Sequence, residues 1–263
     1  MLLTSIFVLA GIAGTAATYA LCDGLSLWWA LLLIPAYYAA AAVVYVIWLF
    51  TAILLTDGTD PSPRLMRFYH RCEVHTLSWL MVLLGVRRRL VGVEKIPTDR
   101  PYLLVCNHRS AFDPVSTLAM FKRWNMCFVC KPELFKIPVL GPAMRRAGFF
   151  PIDRENPRNA VTAIKHAAEI ITKQGRSVGI YPEGTRTVGE GEMLPFHGGS
   201  FKIAKLADCP VVVASVRVKR GLLCPAAVEL RILDVMEEDY VREHKTTDMA
   251  QRAEQTIRED LGI

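Results

Sequence analysis

The first 63 residues contain no lysine and no arginine. Asp23, Asp57 and Asp60 are the only charged side chains before Arg64. The chain has 31 basic and 25 acidic residues, so the part from Arg64 onward carries a net charge of +9. An apolar start without basic residues lacks the n-region of a secretory signal peptide. The basic remainder suits an anionic membrane surface or phosphorylated substrates.

Several sequence motifs are also absent. The sequence has no G-x-x-x-x-G-K-S/T phosphate loop and no G-x-S-x-G nucleophile motif, which argues against a P-loop nucleotide hydrolase and a serine hydrolase. No recognised nucleic-acid reader motif accompanies the basic residues, so we predict no nucleic-acid partner.

The seven cysteines are odd in number and irregularly spaced, which predicts no disulfide framework and favours a reduced, cytosolic setting. Cys127 and Cys130 form a lone C-x-x-C in a strand-like run, without a second pair or a nearby histidine. We therefore predict no metal site. We also predict no cofactor.

Two long uncharged segments, residues 1–21 and 25–55, open the chain. At about 1.5 Å per residue each can cross a hydrocarbon core of roughly 30 Å, and Pro35 offers a kink point in the second. A cleaved signal peptide is the alternative for the first segment, but a second apolar run follows at once. We predict a transmembrane hairpin over residues 1–63. The arginines beyond it place the rest of the chain on the cytoplasmic side of the cell membrane.

Residues 64–89 are intermediate in character. Apolar side chains between residues 65 and 86 are edged by arginine and histidine, and the wholly apolar part is too short to span a bilayer. We predict an interfacial amphipathic helix followed by a basic linker, with a buried core helix as the alternative.

Residues 90–263 alternate between strand-like and helix-like patterns. Predicted strands cover residues 90–93, 102–106, 126–130, 149–152, 177–181, 211–218 and 228–233. Predicted helices cover residues 114–123, 142–147, 157–174, 200–207 and 247–260. This alternation predicts a cytoplasmic α/β domain with a mostly parallel sheet flanked by helices, behind the helical membrane anchor.

Polar clusters follow three of the predicted strands. Because ligands of parallel α/β sheets bind beyond the carboxyl ends of the strands, we expect these clusters to share one crevice. His108 follows the second strand, and Asp113 stands five residues later. A neutral imidazole accepts a proton near pH 7, and a carboxylate fixes its tautomer, as in a triad that lacks the enzyme serine. Asp113 before Pro114 also fits a simple helix N-cap.

The other two clusters carry candidate phosphate ligands. Lys131 follows the third strand, and Glu183, Gly184, Thr185 and Arg186 follow the fifth. Gly184 permits a positive φ, Thr185 offers a hydroxyl, and the Arg186 guanidinium can fork onto a phosphate. Arg154 is a further candidate cation. A surface turn with solvated charges is the alternative for each of them.

Four sequence blocks in a fixed order resemble the glycerolipid acyltransferase family. They are Asn107-His108-x4-Asp113, the run from Gly148 to Arg154, the run from Tyr181 to Arg186, and the run from Pro210 to Val213, and they lie within residues 90–220. Two departures stand out: Tyr181 occupies a position that is usually phenylalanine in the family, and Pro151 lies in the second block. By size and short anchor, the chain is most similar to the bacterial 1-acylglycerol-3-phosphate acyltransferases.

The resemblance implies that an acyl chain passes from acyl-CoA or acyl carrier protein to the sn-2 hydroxyl of lysophosphatidic acid, forming phosphatidic acid. It implies that His108 acts as general base, that Asp113 holds His108, and that Lys131, Arg186 and Arg154 contact the phosphate, with residues 183–185 shaping the loop. Glycerol-3-phosphate or another lysophospholipid is an alternative acceptor. A non-catalytic membrane lipid-binding protein is the alternative from another class.

Overall fold

A computed structural model describes residues 2–21, 27–55, 63–122, 124–152, 157–187, 192–219, 221 and 225–263. The chain divides into two compact units, Met1–Asp57 and Gly58–Ile263.

The first unit consists of two packed helices, α1 (Leu2–Leu21) and α2 (Leu27–Leu55). Small residues of α1 let the helices approach closely, since a Cβ on Gly14 would lie 3.0 Å from the Tyr37 ring. The Thr18 and Tyr37 hydroxyls are 2.6 Å apart. Within the described residues, Leu32–Thr51 of α2 is the one stretch that is long and apolar enough to cross a membrane, with a mean hydropathy of 2.0. Val8–Leu21 of α1 is apolar but shorter.

The second unit is built on a seven-stranded sheet with the order β1-β7-β6-β2-β5-β3-β4. The strands are β1 (Arg87–Val91), β2 (Leu103–Cys106), β3 (Met126–Cys130), β4 (Phe150–Pro151), β5 (Ser177–Ile180), β6 (Val211–Lys219) and β7 (Ala227–Met236). All neighbouring strands pair in parallel except β6 and β7, which are antiparallel. This confirms the predicted fold class.

Helices cover both faces of the sheet. They are α3 (Pro63–Leu83), α4 (Asp113–Met120), α5 (Leu140–Arg146), α6 (Pro157–Gln174), α7 (Lys202–Ala207), α8 (Glu238–Glu243) and α9 (Thr246–Leu261). The helix predicted over residues 157–174 has those bounds, and Gly175 follows it with φ +62°. Its predicted cap, Asn156, lies outside the described residues. The prediction missed α8, because six residues are too few to show a helical period.

The helix α3 belongs to the α/β unit. Its inner face packs against α4 and α5, and Val74 and Met81 join the central core. The helix ends in a Schellman motif: Val86 donates its backbone N–H to Met81 and Gly85 donates to Val82, with Gly85 at φ +67°. The predicted boundary between residues 89 and 90 falls inside β1, whose three arginines pair with β7.

One edge of the sheet collects the strand ends that matter for function. β2, β3, β5 and β6 run in the same direction, so their carboxyl ends point to one side of the sheet, which we call the carboxyl edge. β6 continues to Lys219, beyond Ala214, the partner of the last residue of β2. Because β7 is antiparallel to β6 and β1 is parallel to β7, the first residue of β1, Arg87, lies at this same edge.

Candidate functional site

The candidate site begins where β2 ends. All four residues of β2 are buried, and the strand gains its regular hydrogen bonds from β5 and β6. The side chain of Asn107 then continues the pairing with β6: its Nδ2 donates to the Val216 carbonyl at 3.0 Å, and its Oδ1 accepts the Val216 N–H at 2.7 Å. This pair of hydrogen bonds fixes the direction of the chain, so the next residue, His108, lies at the carboxyl edge.

Asp113 holds His108 through a single oxygen. Its Oδ2 lies 2.9 Å from Nδ1 of His108 and accepts the backbone N–H groups of Arg109 at 2.6 Å and Ser110 at 2.7 Å. Three donors converging on one oxygen match an ionised carboxylate, which can only accept hydrogen bonds. Opposite an ionised Asp113, Nδ1 of His108 is the protonated nitrogen and Nε2 keeps the lone pair, and this is the tautomer that we assign.

The N-cap alternative for Asp113 is not what the structure shows. Asp113 is the first residue of α4, Phe112 holds the cap position, and no side chain makes a cap hydrogen bond there. The Asp113 carboxylate turns back toward the preceding loop instead, and its side chain is completely buried beside a His108 ring that is 16% exposed.

Glu183 ties the loop after β5 to the His108 loop. Its Oε1 accepts the His108 N–H at 2.6 Å, while its Oε2 accepts the Leu194 N–H at 3.0 Å and the Thr187 hydroxyl. The Thr187 N–H returns a bond to the His108 carbonyl at 2.9 Å. Glu183 is buried, and both of its oxygens accept hydrogen bonds within the protein, so it holds the two loops together.

Aromatic rings support the imidazole from one side. The Tyr181 ring stacks on His108 with centroids 4.2 Å apart and planes at 18°, and Phe128 stacks on Tyr181 at 5.6 Å. The buried Tyr181 hydroxyl lies near the side chain of Thr117, one turn along α4 from Asp113. Burial holds the pKa of the Tyr181 phenol well above its usual value, so the group stays neutral. Gly179 makes room for this stack, since a Cβ there would lie 2.3 Å from the Phe128 ring.

The predicted phosphate ligands lie at the same edge but further out. Lys131 follows β3, and Thr185 and Arg186 follow β5; all three are exposed. Gly184 adopts φ +82° and donates its N–H to the Tyr181 carbonyl at 3.1 Å, which closes the turn. Neither Lys131 nor Arg186 forms an ion pair with a described residue. Arg154 lies outside the described residues.

The sequence does not identify some residues of the site. Thr187 and Thr117 belong to no motif that we recognised, and Phe128 is indistinguishable from other core residues of β3. Their contacts arise from neighbouring strands and helices, which only the fold brings together. The part of the chain that the structure describes contains no group of three His, Cys, Asp or Glu side chains that could hold a metal ion.

Comparisons with known proteins show that the chain is similar to acyltransferases. A family model described as "Acyltransferase" matches residues 87–217. A chloroplastic 1-acyl-sn-glycerol-3-phosphate acyltransferase of Arabidopsis thaliana is 36% identical over 185 residues, which cover 68% of this chain and 50% of the relative. The 1-acyl-sn-glycerol-3-phosphate acyltransferase of Bacillus subtilis is 30% identical over 138 residues, covering 52% of this chain and 66% of the relative.

The chain matches only about half to two thirds of the length of these curated relatives. Among solved structures, the 1-acyl-sn-glycerophosphate acyltransferase from Thermotoga maritima matches with a TM-score of 0.61 at 22% identity, covering 86% of this chain and 91% of that one. At this level of identity the match supports the fold alone.

Proposed function

We propose that this chain, which belongs to the acyltransferase family, transfers an acyl chain from an acyl thioester to the sn-2 hydroxyl of 1-acylglycerol-3-phosphate. The observation that carries the proposal is the 2.9 Å contact between His108 and Asp113 at the carboxyl edge. The names of the similar proteins from plants, yeast and bacteria support the choice of acceptor.

The geometry fits a direct transfer. Nε2 of His108 removes the proton from the acceptor hydroxyl as its oxygen attacks the thioester carbonyl. The carbon–sulfur bond then breaks, the new ester remains on the lipid, and the imidazolium returns its proton to the departing thiolate. Asp113 stabilises the imidazolium and keeps Nδ1 as the protonated nitrogen, so the reaction requires no acyl-enzyme.

The acceptor's phosphate is assigned to the exposed cations around this pair. Arg186 can present two parallel N–H donors and Lys131 a single charge, and neither is engaged by a described carboxylate. Arg154 is kept as a third candidate from its place in the sequence. Acyl-CoA and acyl carrier protein are the two candidate donors.

We place the reaction on the cytoplasmic side of the cell membrane, with α2 as the anchor. Support comes from the apolar Leu32–Thr51 stretch and from the first basic residues, which all lie beyond it.

The test is acyl transfer by the purified full-length protein in detergent micelles. Lysophosphatidic acid, glycerol-3-phosphate and a larger lysophospholipid are each supplied with acyl-CoA or acyl carrier protein, and the products are identified. We expect phosphatidic acid from lysophosphatidic acid, and a loss of at least about 10²–10⁴-fold in kcat for His108→Ala. His166→Ala, which removes an exposed histidine of α6, is the matched control and should retain activity. Near-normal turnover by His108→Ala would exclude the mechanism.

A further inference from the structure

Asp113 uses only one of its two carboxylate oxygens to hold the His108 loop. Oδ2 accepts hydrogen bonds from His108, Arg109 and Ser110. Oδ1 is also buried, but it receives no hydrogen bond from any described residue. Because a buried carboxylate oxygen without a donor is costly, this atom marks a position where the protein needs a polar partner.

A second buried oxygen lies on the same face of α4. Thr117 follows Asp113 by four residues, and side chains at this spacing are neighbours on a helix surface. The residue is 1% exposed, and its Oγ1 has no hydrogen-bond partner in the described part of the chain. The buried Tyr181 hydroxyl lies near Thr117, and the Cys106 thiol lies near Asp113. The two oxygens thus share a buried space between α4 and the ends of β2 and β5.

The hydroxyl of Thr117 does not bond its own helix. A helical threonine commonly donates its hydroxyl to the carbonyl three or four residues earlier. Other helical threonines of this chain do so at 2.8 or 2.9 Å, among them Thr15, Thr76, Thr172 and Thr256. Thr117 makes no such bond, although the carbonyl of Asp113 stands four residues before it. Its hydroxyl is therefore available to the buried space beside Asp113.

One water molecule would satisfy both oxygens. Buried waters in proteins typically make about three hydrogen bonds to polar groups that would otherwise lack a partner. A water in this space can donate to Oδ1 of Asp113 and accept the hydrogen of the Thr117 hydroxyl. The Tyr181 hydroxyl supplies a third polar neighbour. The site therefore has the number and the kind of groups that a buried water needs.

We propose that Thr117 is a positioning residue of the catalytic pair, and that it acts through one buried water bonded to Oγ1 of Thr117 and Oδ1 of Asp113. The terminal torsion of an aspartate is soft, so a contact at Oδ1 decides how the carboxylate is turned. The water keeps Oδ2 in its place, 2.9 Å from Nδ1 of His108. The proposal rests on the proposed function for the task of this pair.

A packing role for Thr117 makes the opposite prediction. Valine has nearly the shape of threonine, so a residue that only fills space should tolerate Thr117→Val with little effect. If the hydroxyl holds the water, Thr117→Val leaves Oδ1 of Asp113 poorly solvated, and Thr117→Ser restores the contact. Thr256→Val is the matched control, because its hydroxyl bonds the Arg252 carbonyl on α9.

The first test needs no turnover. The ring nitrogens of histidine are isotopically labelled in the full-length protein in micelles, and the Nδ1–H resonance of His108 is identified by its loss in His108→Gln. We expect this resonance to be the same in the unmodified protein, Thr117→Ser and Thr256→Val. In Thr117→Val we expect it to move toward the position of a solvated imidazole and to broaden. An unchanged resonance in Thr117→Val overturns the proposal.

A crystal structure of the unmodified protein tests the water directly and does not depend on the stability of any variant. We expect density for a water within about 3.2 Å of both Oγ1 of Thr117 and Oδ1 of Asp113. A well-resolved site without that density also overturns the proposal.

The last test is steady-state kinetics with lysophosphatidic acid. We expect Thr117→Val to lower kcat at least about tenfold with KM unchanged, because a displaced base loses its near-attack geometry, and Thr117→Ser to stay within about threefold. Equal losses in the valine and serine variants contradict a positioning role. Absence of product from the unmodified protein with every acceptor refutes the proposed function, while the resonance and the crystal structure still decide the role of Thr117.

Discussion

Tyr181 links His108 to the helix that carries Asp113. Its ring stacks on His108, and its buried hydroxyl lies near Thr117 on the helix that begins with Asp113. The imidazole can therefore neither tilt away from the carboxylate nor rotate without moving a buried ring. In the proposed mechanism, this contact would position the base without touching the substrate.

We predict that Tyr181→Leu lowers kcat about tenfold with little change in KM, because an aromatic pair is worth roughly 0.5–1.5 kcal/mol beyond its buried area. Tyr181→Phe keeps the ring and should restore most of the rate. The measurement is steady-state kinetics on lysophosphatidic acid, with thermal unfolding to compare stability. If Leu and Phe at this position reduce kcat equally, the stack has no positioning role.

The residues of the site differ in how far the sequence can reveal them. His108 and Asp113 have a fixed spacing that a single loop can satisfy, so their contact is predictable. Glu183 and Thr187 meet His108 from a strand that is distant in sequence, and their hydrogen bonds depend on which strands are neighbours. The sequence predicts the clusters and the shared edge, but not that the Glu183 carboxylate accepts the backbone N–H of His108.

At the scale of elements, α3 carries an ionisable group against the sheet. Oε2 of Glu73 is enclosed and has no hydrogen-bond partner among the described residues. Burial raises the pKa of Glu73 to about 8, although the nearby Arg176 guanidinium opposes the shift. The folded protein thus keeps a proton on Glu73 that the unfolded chain releases above about pH 4.5.

This predicts that stability falls as pH rises toward 8. Burial lowers the pKa of His70, on the same helix, to about 4, so the free energy of unfolding falls below pH 6.5, where this histidine becomes protonated in the unfolded chain. Between pH 6.5 and 8, Glu73 is the group on this helix that changes the free energy of unfolding. Over that range the unfolded state binds fewer protons than the folded state, which costs up to about 2 kcal/mol. Glu73→Gln should remove this slope in denaturant titrations at pH 6.5 and 8. The exposed Glu169→Gln should not, and parallel slopes for all three proteins would contradict the prediction.

The elements themselves follow closely from local sequence. All seven predicted strands are present with shifts of a few residues, since buried β-branched runs are distinctive. The role of α3 was harder to predict. Its sequence mixes arginines with apolar residues, and a helix that packs one face on a sheet has the same pattern as one lying at a membrane interface.

For the whole molecule, the uneven charge leads to a prediction of topology. A reporter fused after Ile263 should be active only in the cytoplasm, and one fused within residues 22–26 should be active only outside, because the first basic residues follow α2. Paired cytoplasmic and exported reporters measure this. An exported C-terminal reporter would reverse the assignment.

The order of the strands has a last consequence for the molecule's behaviour in solution. β1 is an outer strand of the sheet, and its first three residues are arginines, of which Arg87 and Arg89 are exposed. An exposed edge strand can pair with the edge strand of a second copy and start a fibre, and charged side chains along that edge repel the second copy. We therefore expect the β1 arginines to disfavour polymerisation by extension of the sheet.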